Sequence, residues 1–152
     1  MKTNGSHKRG KTIRIIGFVL LLAAALWLFL PRRIAGDPAR CESVSLLFRA
    51  EGEETLRFYY PSPDGREVDT AALLALLHEY RAARRLFPDT LIDGVPSGGI
   101  KLSITFFEGG KEKTLYLGEF NRLDAESGTH YTVLQAPELL DRALALLGLT
   151  GK

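Results

Sequence analysis

IIGFVLLLAAALWLFLPRR, residues 15–33, is uncharged over its first sixteen positions and then stops on a proline and two arginines. Coiled as a helix at 1.5 Å per residue, those sixteen positions reach about 24 Å, a little short of a hydrocarbon core of about 30 Å. Ile13 lengthens the apolar run, with Arg14 placed to snorkel toward headgroups, and Trp27 stands near the distal end, where an interfacial aromatic is favoured. The stretch reads as a transmembrane signal-anchor helix over residues 13–31. A cleaved signal has a shorter apolar region, about 7–15 residues, followed by small residues at an extended site. Here the nearest match is Ile34-Ala35-Gly36, and Ala23, Ala24 and Ala25 lie inside the apolar run. Cys41 follows Pro38-Ala39-Arg40, without the small residue that a lipoprotein signal places before its cysteine.

Working outward, the charge is divided unevenly. Residues 1–40 hold eight Lys/Arg against the single acid Asp37, a net +7, whereas residues 41–152 carry −5, although the chain as a whole is only +2. An acidic folded part argues against nucleic acid as a ligand, because phosphate binding needs a basic surface that releases counterions. The basic residues instead flank an apolar segment and suit lipid headgroups. Lys2, Lys8, Arg9, Lys11 and Arg14 precede the uncharged run 15–30 and Arg32, Arg33 and Arg40 follow it, which favours a cytoplasmic basic tail over residues 1–12 and an extracytoplasmic C-terminal domain. One cysteine, Cys41, excludes an internal disulfide framework and by itself builds no thiolate metal site.

Pro31, Gly36 and Pro38 mark residues 32–42 as a juxtamembrane linker, and the folded domain is expected over residues 43–149. SVSLLFR (43–49) and TLRFYY (55–60) alternate apolar and polar residues at period two, joined by the loop AEGEE. After the turn PSPDGRE a helix is expected from Asp69 or Thr70, with Leu73, Leu76, Leu77, Tyr80 and Phe87 on one face, Arg81, Arg84 and Arg85 in its last turns and Pro88 as its stop. IKLSITFF (100–107) and KTLYLGEF (113–120) form a hairpin around Gly109-Gly110, DAESGT (124–129) is a loop, and HYTVLQ (130–135) is a fifth strand. Pro137 opens a final helix with Leu140, Leu144 and Leu147 as its stripe and Gly148 as its end. The order β-β-α-β-β-β-α makes an α+β domain, a mostly antiparallel sheet with two helices on one face.

This layout, with GTHYTVLQAPELLDRALALLG (128–148) near the end of the chain, resembles small membrane-anchored extracytoplasmic domains of unknown function from Gram-positive bacteria. The resemblance is one of layout and implies no activity.

The candidate chemistry is sparse. His78-Glu79 begins like a zinc-protease helix, but position 82 is Ala82 where the second histidine belongs, so His78 reads as a surface histidine and His130 as a strand-end one. GVPSGG (94–99) has neither the spacing nor the strand-to-helix setting of a nucleophile elbow around Ser97, nor the Lys-Ser/Thr ending of a phosphate loop. Glu51, Glu53 and Glu54 read as a solvated hairpin tip. No catalytic, cofactor-binding or metal-ligating residue is assigned, and no cofactor is expected. Candidate binding residues are Arg81, Arg84 and Arg85, for an anionic ligand, and Tyr59, Tyr60 and Tyr116, for peptide or glycan contact. The expected role is a non-enzymatic binding or accessory module with the lipid bilayer and another envelope protein as partners. The alternative is an envelope hydrolase using His78, His130 or Ser97. A third is an inhibitor domain acting through the loop at 91–99.

Overall fold

Strand alternation dominates the chain beyond the apolar segment. The structure, a computed structural model, describes residues 4–49, 57–60, 68–85, 100–118, 120–125 and 128–149, with side chains for 13–49, 68–85, 101–118, 120–125 and 128–149. The chain divides into two units, residues 1–30 and 31–152.

The first unit is the helix α1 (Asn4–Phe29). Every large apolar side chain from Ile13 to Leu30 is exposed, between 37% and 72%. Among the described residues no helix is long and apolar enough to cross a membrane: the part of α1 with described side chains runs from Ile13 to Phe29, about 25 Å.

The second unit is α+β, as expected. Its strands are β1 (Arg32–Arg33), β2 (Cys41–Phe48), β3 (Arg57–Tyr60), β4 (Arg81–Arg84), β5 (Ile100–Glu108), β6 (Lys111–Gly118), β7 (Arg122–Ala125) and β8 (Thr129–Val133), and its helices are α2 (Thr70–Glu79) and α3 (Ala136–Leu146). They form one antiparallel sheet in the order β1-β4-β8-β7-β6-β5-β2-β3. Gly109 and Gly110, at φ 59° and 72°, make the two-residue turn between Glu108 and Lys111 that the sequence foretold, because both positions need the left-handed region.

One face of the sheet carries the core. Leu46, Ile104, Leu115 and Leu123 stand in register across four strands, with Phe106, Leu102 and Leu117 beside them, and all but Leu123 (4%) are wholly buried. The helices pack on each other and cover this face with Leu73, Leu76 and Leu77 of α2 and Leu139 and Ala143 of α3. Asp69 caps α2, its Oδ1 accepting from Ala72 N–H at 2.8 Å. In α3 the expected stripe Leu140, Leu144 and Leu147 is only half-buried and flanks a deeper line of Ala136, Leu139 and Ala143. Gly148, at φ 66°, follows that helix's end as expected.

Three expectations are corrected. The helix expected to run to Phe87 ends at Glu79, and Arg81 and Arg84 lie on β4 with Arg85 just beyond it. By then the apolar stripe is complete, and Ile34 N–H and Ala35 N–H donate to the C-terminal carbonyls of Tyr80 and Leu77, at 3.1 and 3.5 Å. β4 exchanges helical hydrogen bonds for two ladders, to β1 and β8, and buries Ala82 between them. The loop expected at 124–129 supplies the end of β7 and the start of β8. Residues 32–42, expected as linker, belong to the folded unit: Ile34 and Ala35 are fully buried and Cys41 begins β2.

That entry segment is fastened by Glu108. Its Oε1 accepts from Asp37 N–H at 2.8 Å, its carboxylate also takes Gly36 N–H, and Lys113 Nζ donates to Oε2 at 2.5 Å. A side chain at position 36 would push Oε1 aside, so glycine lets the carboxylate lie this close to the backbone. Burial opposes the charge on Glu108, but Lys113 and the two N–H groups outweigh it and hold the carboxyl below its ordinary value.

Candidate functional site

Alternation that sends Leu115 and Leu123 into the core sends their neighbours to the opposite face, away from α2 and α3. Two polar rows run across that face. Ser103, Tyr116, Arg122 and Thr132 form one, and Thr105, Thr114, Asp124 and His130 the other.

Contacts between the rows fix the side chains. Asp124 is the hub: its Oδ2 meets Arg122 Nη2 at 2.8 Å and its Oδ1 meets His130 Nδ1 at 2.6 Å. A carboxylate on Nδ1 sets the imidazole's orientation and favours a proton on that nitrogen. The Arg122 guanidinium lies 5.4 Å from the Tyr116 ring centroid, a cation–π arrangement. Arg122 Nε is buried without a hydrogen-bond partner. Thr105 and Thr114 share a hydrogen bond at 3.1 Å, and Arg85 Nε donates to Thr132 Oγ1 at 2.6 Å. Burial pushes the Tyr116 phenol above its ordinary value, and Asp124 adds to the shift while Arg122 opposes it. A cleft of about 330 Å³ opens beside these rows, with Phe107, Glu112, Thr114, Tyr116 and Asp124 in its lining.

This arrangement offers two aromatic rings, two carboxylates and hydroxyl groups on rigid strands, which is a contact surface. It orients one imidazole, but among the described residues no serine or cysteine hydrogen-bonds to His130 as a nucleophile would. Nor do the described residues contain a group of three or more His, Cys, Asp or Glu spaced to hold a metal ion.

The sequence candidates scatter. Tyr116 lies at the heart of the site and His130 at its edge. His78 is on α2, over the opposite face, where Nδ1 donates to the Ala35 carbonyl at 3.0 Å and Nε2 meets Arg33. The two histidines are therefore not brought together. Arg81 and Arg84 are exposed near the β1 edge, and Arg85 reaches the site through Thr132. Tyr59 and Tyr60 lie on β3, but their side chains, like Ser97, the 91–99 loop, and Glu51, Glu53 and Glu54, lie outside the described residues. Arg122, Asp124 and Thr132 were not singled out from sequence. Their signal was the i, i+2 spacing of Arg122 and Asp124, legible only once that segment is known to be a strand. Comparison with protein families, curated proteins and solved structures finds no match for this chain.

Proposed function

We propose that the chain is a single-pass membrane protein whose extracytoplasmic domain acts by binding, through the face of its sheet turned away from α2 and α3. The observation that carries the anchor is the apolar surface of α1, where large side chains are exposed along the whole stretch from Ile13 to Leu30. Such a helix needs an apolar solvent on every side, and a bilayer supplies one. The described apolar length falls about 5 Å short of a hydrocarbon core, a mismatch that local thinning and the snorkelling of Arg14 accommodate. Five basic residues before the uncharged run 15–30 and three after it favour a cytoplasmic N-terminus. The binding role is supported by Tyr116, Arg122, Asp124 and His130, which are locked to one another on an open face instead of being spent on the core. A peptide or glycan from another envelope component fits such a surface.

The test has two arms. Alkaline carbonate should leave the full chain in the membrane pellet, and a tag after Lys152 should be digested by protease added to intact cells; an extracted chain or a shielded tag overturns the reading. A photo-crosslinking residue at Tyr116 should capture an envelope partner that the same residue at Ala71, exposed on α2, does not. Equal capture at both positions removes the binding face.

The alternative, an envelope hydrolase, is favoured by the Asp124–His130 pair alone. It requires a hydrolytic activity of the full chain that His130→Ala abolishes.

A further inference from the structure

The cleft on the sheet holds charge that its own walls do not balance. Alternation along β6 sets Glu112, Thr114 and Tyr116 on the face turned away from α2 and α3, and Thr114 is the register partner of Asp124 on β7. The hollow of about 330 Å³ opens where the short Thr114 is flanked along its strand by the longer Glu112 and Tyr116, with Phe107 opposite Glu112. Its lining includes two carboxylates and no basic group. Arg122, at 2.8 Å from Asp124, offsets one of them. Glu112 is exposed, and among the described residues no basic group pairs with it. Its sequence neighbours Lys111 and Lys113 alternate to the other face, where Lys113 is tied to Glu108. One negative charge of the lining is therefore left over.

Geometry says what fits it. Diagonal neighbours across an antiparallel pair stand about 7–8 Å apart, so Glu112 and Asp124 leave a gap that one cationic group fills, with room for a charge-assisted hydrogen bond on either side. Burial is the main reason that the Tyr116 phenol titrates above its ordinary value, but the charges of Asp124 and Glu112 both add to the shift, so both carboxylates act on the same end of the cleft. A divalent metal ion demands a fuller set of oxygen ligands, and the described residues hold no group of three or more acids, histidines or cysteines placed to supply it. The rings of Phe107 and Tyr116 offer instead an apolar surface and π faces, which match a cation carried on an alkyl stem.

We propose that this cleft takes the basic side chain of a peptide segment of a partner protein, its charged head between Glu112 and Asp124 and its stem along Tyr116. The proposal deepens the binding-face reading above and rests on it. An ion pair on so open a surface adds little affinity, so the cleft chooses which peptide docks on the sheet more than how tightly it holds.

The full chain, isotopically labelled in mild detergent at pH 7, is titrated with Nα-acetyl-lysine methylamide, and the amide signals of Gly110, Thr114 and Ala125 are followed by nuclear magnetic resonance. The shifts should saturate in the millimolar range. The Nε-acetylated form of the same probe keeps the stem and loses the charge, and it should bind several-fold more weakly to the unaltered protein, a comparison that needs no variant. Glu112→Gln should weaken the lysine probe by about three- to fivefold and Glu112→Lys should abolish its binding, with circular dichroism unchanged in both. No saturable shift with the lysine probe, equal binding of its acetylated form, or an affinity untouched by Glu112→Gln overturns the proposal. Glucosamine binding as tightly as the lysine probe would assign the cleft to an amino sugar and also overturn it. Capture from a cross-linking residue at Tyr116 separates the two readings. Capture that survives Glu112→Lys overturns the cation site and leaves the binding face standing, whereas capture no better than from Ala71 removes both.

Discussion

Replacing Glu108 by glutamine tests whether one carboxylate fastens the entry segment to the β5–β6 hairpin. The group accepts from Asp37 N–H at 2.8 Å and Lys113 Nζ at 2.5 Å, with Gly36 N–H as a third donor, and its side chain is 15% exposed. Glutamine keeps the shape and one acceptor oxygen, but its amide nitrogen only donates, so it must face either the backbone N–H groups or the ammonium with a donor against a donor. Hydrogen bonds to a charged group are worth about 1.5–3 kcal/mol, which puts the expected loss for Glu108→Gln at about 2–3 kcal/mol at pH 7. For a domain of this size, at about 4 °C per kcal/mol, the melting temperature should fall by about 8–12 °C. The pH dependence has a definite sign. Because the folded carboxyl titrates below its ordinary 4.5, its contribution is complete above that pH and is lost as the pH falls through the lower, folded value. The wild type should therefore shed stability below about pH 4.5 more steeply than the glutamine variant. Thermal unfolding of the full chain in mild detergent, followed by circular dichroism from pH 3 to 8, reads both quantities. Melting within about 2 °C of wild type at pH 7, together with parallel acid limbs, would refute the fastening role of Glu108.

The remaining predictions follow the same contacts. Gly36→Ala should cost about 1–2 kcal/mol by displacing the Glu108 carboxylate, and less than that in a Glu108→Gln background, since the two changes break one contact; urea titrations of the four-member cycle measure the coupling. Phe106→Ala, which empties a wholly buried ring position in the sheet core, should destabilise by about 3–5 kcal/mol and lower the urea midpoint without changing the slope. Asp124→Asn removes one of the charges that raise the Tyr116 phenol, so ultraviolet titration should show that tyrosine ionising at a lower pH than in the wild type; an unchanged or higher midpoint contradicts the geometry. Tyr80→Phe deletes a hydroxyl that donates to Glu138 at 3.0 Å and accepts from Arg142 at 3.2 Å, linking α2 to α3, and should cost about 0.5–1.5 kcal/mol in the same urea assay.

How legible the site was depends on which period a segment follows. Leu102, Ile104 and Phe106 alternate so plainly that the face they occupy, and hence the opposite face of Ser103 and Thr105, could be read directly. Tyr116 belongs to an equally clear strand and was found. Arg122 and Asp124 were missed because four residues between turns are too few to show a period, and DAESGT reads as loop by composition. The arginines of RAARR were noticed as a cluster but set on a helix, since alanine and arginine are good helix formers.

The sequence by itself determined the split between an apolar N-terminal helix and an acidic α+β domain, the Gly109-Gly110 hairpin, the start of α2 at a cap on Asp69 or Thr70, and the apolar faces of α2 and of the long strands. All of these follow from short-range chemistry: side-chain period, charge and the few residues that tolerate a positive φ. Tertiary structure alone decided that α2 stops at Glu79, that Arg81–Arg84 becomes a strand, and that Ile34 and Ala35 enter the core. Those outcomes depend on backbone groups far apart in the chain, Ile34 N–H on the Tyr80 carbonyl and β4 between β1 and β8. A ladder on both edges and a buried alanine outweigh a local helix preference of only tenths of a kcal/mol per residue, about the size of the propensity differences themselves.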